Sequence, residues 1–194
     1  MKMKAMRANV YFGFVLALLL AVSGCGPTSI IYATKDSSHT NEMKRLFVAE
    51  DLGTNHLGEY HQSYRRNFTQ RLGECGVAVE FFSLAKPDPL ALDDSRARAQ
   101  QREEGAAIGK FGPDAVMQVS EVFLKTDGPL RRPVVVEYGV RLLDASNAKP
   151  FWQAEMTLGL NMTDFGDPGV VLADDLVTKW KKDGVLKSCP VGSH

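Results

Sequence analysis

The chain lacks an excess of charge of either sign. Its 23 Lys and Arg residues balance 23 Asp and Glu residues, for a formal net charge of zero. That excludes the basic footprint of a nucleic-acid binder and the polybasic patch that acidic lipid headgroups attract. A long apolar run is also missing. Val10 to Val22 is apolar over roughly a dozen residues, broken only by Gly13, whereas a membrane-spanning helix needs about 20.

The signatures of common chemistries are missing too. Gly105-Ala106-Ala107-Ile108-Gly109-Lys110 is one residue short of a phosphate loop. It has no Ser or Thr after its Lys, and it precedes a strand where a phosphate loop follows one. His56, Glu59 and His61 are close together but do not have the i, i+4 spacing that puts two zinc ligands on one helical face. His39 and His194 lie far from them. No Gly-x-Ser-x-Gly elbow or nucleophile–base pair is visible. Glu121, Glu137 and Glu155 fall in consecutive strands and could converge, but carboxylates on an open antiparallel face are usually solvated. The chain is therefore read as non-enzymatic, with no catalytic residue, no metal site and no cofactor.

What is present begins at the N-terminus. Lys2, Lys4 and Arg7 precede the apolar run, the layout of a secretory signal. The run ends in Val22-Ser23-Gly24-Cys25, which resembles the lipobox of bacterial lipoproteins. The resemblance implies cleavage before Cys25 and a lipid on its thiol, so residues 1–24 are expected to be the signal peptide. Two or more acyl chains make such anchoring stable, at about 0.8 kcal/mol per buried CH2. By the same resemblance, Gly26 in place of the Asp that retains such lipoproteins at the inner membrane implies the outer membrane, with the domain facing the periplasm. The three basic residues of the signal leave 20 basic and 23 acidic residues after it, a net charge of −3.

Cysteine is scarce: three in 194 residues. With Cys25 carrying lipid, Cys75 and Cys189 remain. In an oxidising periplasm an even pair suggests a disulfide; the alternative is two separate buried thiols.

Residues 25–44 read mainly as lipidated cysteine and tether, in which only Ile30-Ile31-Tyr32-Ala33 suits a short strand. Residues 45–190 read as one α+β domain. A strand over 45–49 is followed by a helix with Tyr60, Tyr64, Phe68 and Leu72 every four residues. Gly73 and Gly76 close it, and a strand resumes over 77–82. A second helix runs from a cap among Asp93, Asp94 and Ser95 to about Lys110. Ala115 to Lys125 is a strand whose faces are ambiguous: Met117, Val119 and Phe123 compete with Val116, Val122 and Leu124. Val134, Val136, Tyr138, Val140 and Leu142 alternate cleanly, as do Trp152, Ala154, Met156, Leu158 and Leu160. Matching those two faces would set Arg141 opposite Glu155. Asp167-Pro168 opens a last helix with Leu172, Leu176 and Trp180 in step. The expected fold is a two-layer α+β sandwich, a mixed sheet of about five strands in the order β-α-β-α-β-β-β-α, with helices on one face.

Within that order, Ala106 to Val116 carries a helix ending in Gly, then an acidic residue and an apolar strand. It resembles the N-terminal domain of the Tol translocation protein, the curli-secretion lipoprotein and the lipoprotein activators of penicillin-binding proteins, with Pro113 in place of their usual Ala. The resemblance implies a domain that binds an envelope protein partner. A second resemblance, to the lipoprotein of the lipopolysaccharide-assembly machine, implies lipid or lipopolysaccharide handling. The ligand-binding residues and the oligomeric state are left open, and no nucleic acid is expected.

Overall fold

The computed structural model describes residues 28–51, 58–84, 95–127, 132–159, 166–187 and 189. Val22 to Cys25 lies outside them, as do His56 and His194. The described chain forms β1 (Thr28–Lys35), β2 (Arg45–Asp51), α1 (Gly58–Glu74), β3 (Ala78–Ser83), α2 (Ser95–Phe111), β4 (Ala115–Asp127), β5 (Arg132–Asp144), β6 (Pro150–Gly159) and α3 (Pro168–Lys182). One mixed sheet has the order β1-β6-β5-β4-β2-β3. β2 runs parallel to β3 and β4; the other pairs are antiparallel.

The expected α+β class is the one found, and α1 and α3 follow from their stripes. Tyr64, Phe68 and Leu72 of α1 are buried to 2% exposure or less, as are Leu176 and Trp180 of α3. Trp180 meets the rings of Phe68 and Trp152 edge-on, at 5.5 and 5.7 Å between centroids, a favoured aromatic geometry. Asp167 caps α3 by accepting from Gly169 N at 2.8 Å, and Pro168 takes the first helical position as expected. Cys75, just past α1, is bridged to Cys189, just past α3.

Three expectations are corrected. The sheet has six strands, not about five, because residues 28–35 of the expected tether pair with β6 from Thr28↔Leu158 to Lys35↔Trp152. Lys35 Nζ also donates to the carbonyls of Asp183 and Gly184 at 2.7 and 3.0 Å. It thereby satisfies the C-cap carbonyl of α3 and the next one along the chain.

Second, the helices do not share one face. Leu46 and Val48 of β2 face α1 and α3, whereas Phe47, Ala49 and Val116 pack under Ala107, Ile108 and Phe111 of α2. The topology explains this. β2-α1-β3 steps one way along the sheet, and β3-α2-β4 steps back across β2. Crossovers of one hand running in opposite directions put their helices on opposite faces.

Third, Arg141 pairs with Gln153 and not with Glu155, which lies opposite Gly139. The turn after β5 is tighter than expected. Asp144 draws in Ser146 through its backbone N at 2.8 Å, and Ala148 N closes back onto Asp144 O at 2.8 Å. The register slips by two residues, which preserves the faces but changes the neighbours.

The ambiguity in β4 has a cause. The register jumps between Glu121 and Phe123, a bulge at Val122. Met117 and Val119 face the α1–α3 core before it, and a bulge re-aims the side chains that follow.

Candidate binding groove

α2 covers only part of its face of the sheet. Beyond it, β4, β5, β6 and β1 present an open surface built from two rows that cross the strands. Register places Gln118, Arg141, Gln153 and Thr34 in one row, and Ser120, Gly139, Glu155 and Tyr32 in the next. Alternation explains the rows: each residue lies between core-facing neighbours such as Val119, Val140 and Ala154.

Between and around these rows runs a groove of about 510 Å³, lined also by Ala49, Leu84 and Val122. Gly139 forms its floor. A Cβ there would meet Val122 Cγ2 at 3.3 Å and Ser120 Oγ at 3.5 Å, so the depression exists because position 139 carries no side chain. Gln118 and Gln153 each bring an amide donor and acceptor, Ser120 a hydroxyl, Arg141 a guanidinium and Glu155 a carboxylate. Tyr32 and Val122, 47% and 57% exposed, supply the apolar surface. The groove can therefore pair hydrogen bonds with a polar surface or chain laid across the strands.

A second polar group lies on the opposite face, between the sheet and α1. Glu50 is only 2% exposed. Its Oε1 accepts from Arg65 Nε at 2.7 Å, and Arg65 Nη2 donates to Ser83 Oγ at 2.5 Å. Among the described residues, Glu50 Oε2, the Tyr64 hydroxyl and His61 Nε2 have no hydrogen-bond partner. Burial pushes the Glu50 carboxyl above its usual range, and Arg65 offsets this only in part. Burial pushes the Tyr64 phenol well up, helped by Glu50 and Tyr138. His61 is held below the usual imidazole range by burial and then by Arg65, since both disfavour the charged ring.

The three carboxylates that could have converged do not. Glu137 and Glu155 point to the open face. Glu121 lies on the core side with Met117 and Val119, opposite Tyr138, whose phenol is pushed up first by burial and then by the Glu121 charge. Cys75 and Cys189 are the expected site residues that the structure brings together. The alternation of β5 and β6 already marked Arg141, Gln153 and Glu155 as outward, but their grouping with Gln118, Ser120 and Gly139 needs the register. Glu50 carried no signal of its own, because its partner Arg65 comes from another element.

Fold and groove define an α+β module with one half-covered sheet face. No family model matches the chain, and no curated protein matches it in sequence. Among solved structures it is similar to a PelC dodecamer from Paraburkholderia phytofirmans, at 18% identity and a TM-score of 0.47, over 77% of this chain and 96% of that one. It is also similar to a DUF330 protein from Xanthomonas campestris, at 12% identity and a TM-score of 0.34, over 80% and 90%. At these scores the likenesses transfer neither residue roles nor partners.

Proposed function

We propose that this chain is a non-catalytic binding and assembly module of the bacterial envelope. A lipid on Cys25 holds it in the outer membrane facing the periplasm, and the open face of β4, β5 and β6 docks a protein partner. The observation that carries the docking is the groove over Gly139, where two rows of hydrogen-bonding side chains stand uncovered beside a face that α2 closes elsewhere. An exposed Arg, the residue type enriched in specific protein contacts, stands there among amides that can pair hydrogen bonds. The lipid-handling alternative needs room between sheet and helices. There Trp152, Trp180, Phe68, Met117 and Met156 are each exposed by 1% or less, so large side chains occupy the layer that a lipid chain would need.

A photoreactive residue at Gln153, in cells producing the full chain, tests the docking. A discrete protein adduct at Gln153, lost on Arg141→Glu and not formed from Lys182 on α3, is expected. An adduct from Lys182 with none from Gln153 would place the partner on the helix side. Palmitate labelling of the wild type but not of Cys25→Ala tests the anchor.

A further inference from the structure

We propose that the Cys25 lipid fixes the orientation of the domain as well as its address. The end of the sheet that carries Thr28 rests on the bilayer, with Ile31 and Tyr32 seated among the headgroups. This rests on the lipid-anchor reading above.

The first observation is chain length. β1 begins at Thr28, paired with Leu158. Only Gly26 and Pro27 separate it from Cys25, and three residue steps span at most about 11 Å. A flexible tether of 19 residues would reach about 65 Å and leave the domain free to turn. β1 has no such freedom. It is paired along its length with β6, and at its far end Lys35 is hydrogen-bonded to the last carbonyls past α3. Asp36 N also donates to Phe151 O at 2.8 Å.

The second observation is the polarity of the fold. Strand directions put the C-terminal ends of β2, β3, β4 and β6 at the Thr28 end. The N-termini of α1 and α3 lie there too, since Asp167 before α3 accepts from Ser63 Oγ of α1 at 2.7 Å. The disulfide, the turn at Asp144 to Lys149 and the Lys35 clamp all lie at the opposite end.

The third observation is exposed apolar surface in the right place. Among the described residues, the large exposed apolar side chains are Ile31 at 55%, Tyr32 at 47% and Val122 at 57%. The register jump between Ile30 and Tyr32 leaves Ile31 unpaired in β1, a bulge on an edge strand. Ile31 stands only about 10 Å along the strand from Thr28. Tyr, apolar in body and polar at its tip, is suited to the membrane–water interface. A bilayer surface is therefore the occupant that short linkage, clamped strand and apolar edge jointly select.

The test uses the full lipidated chain, disulfide intact, reconstituted into phosphatidylethanolamine–phosphatidylglycerol vesicles. Nitroxide labels go on Ile31→Cys or Tyr32→Cys near the anchor, and on Ser146→Cys at the far end. Collision with a water-soluble nickel chelate should be several-fold lower at position 31 or 32 than at 146, with oxygen collision reversed. Equal nickel access at both ends of a protein that floats with the vesicles would overturn the orientation and leave the anchor standing. Lower access at 146 would mean that the domain stands the other way up. A chain that does not float overturns the anchor, and the orientation with it.

Discussion

Gly169 of α3 lies against the backbone of Tyr60 in α1. A Cβ at position 169 would overlap the Tyr60 carbonyl oxygen, crowd Ser63 Oγ and stand 2.9 Å from Tyr64 N. Two helices thus touch through backbone at their N-terminal ends. Close by, Ser63 Oγ reaches the capping carboxylate of Asp167, and Asn67 Nδ2 donates to Asp174 Oδ1 at 3.0 Å.

Gly169→Ala should therefore destabilise the domain by about 3 kcal/mol, lowering Tm by roughly 10 °C. The obstructing atoms are mostly backbone and cannot swing aside. Gly105 in α2 is the control. A Cβ there meets nothing within 4 Å, so Gly105→Ala should raise stability by ~0.5–1 kcal/mol through helix propensity. Thermal denaturation of both variants checks the pair.

The bridge between Cys75 and Cys189 spans 114 residues of sequence. In the chain-entropy account a loop of that size contributes about 4–5 kcal/mol. The Cys75→Ser/Cys189→Ser double variant should lose that much in urea unfolding. Native protein should take up alkylating reagent at neither position until it is reduced, as mass spectrometry would show.

Glu50 gives a pH dependence whose sign is set. Its carboxyl titrates higher folded than unfolded, chiefly because it is buried. The folded state then binds the proton more tightly, so the cost of Glu50 is absent in acid. It grows as pH rises through the ordinary glutamate range towards the folded value, and is full above that. Glu50→Gln keeps the shape and removes the buried charge. Its stability relative to wild type should rise from about pH 4 to about pH 8, because only wild type meets the growing cost of the buried charge. Chemical denaturation near both pH values checks this, and a gap between variant and wild type that does not move in the variant's favour as pH rises would refute it.

Gly139→Ser should fill the groove floor without unfolding the domain. The added Cβ meets the Val122 and Ser120 side chains at 3.3 and 3.5 Å, contacts that a few tenths of an ångström relieve. Stability should fall by less than about 1 kcal/mol, while the adduct formed from Gln153 disappears. Circular dichroism melts beside the crosslinking yield separate the two effects.

The elements legible in the sequence are those with one strong period and one buried face: α1, α3, β5 and β6. Asp167-Pro168 announced its cap because the signal is local. β1 was obscured because it is an edge strand, paired on one side only, with Ile31 bulged out of register. The faces of β4 were obscured by the bulge at Val122. The placement of α2 could not be read from α2 itself, for it has no fully buried residue; it follows from strand order, a long-range property. The groove was half legible. Arg141, Gln153 and Glu155 were assigned outward, but a two-residue slip at the Asp144 turn decided which of them are neighbours.

The pairing of β1 with β6 also has a mechanical side. Antiparallel hydrogen bonds lie perpendicular to the strands, so a pull on residue 27 along β1 loads the whole Thr28–Lys35 ladder together, in shear, instead of opening it one bond at a time. At the far end of that strand Lys35 grips the carbonyls of Asp183 and Gly184. Tension entering at the N-terminus would thus be shared between β6 and the end of α3, which the disulfide in turn ties to the end of α1.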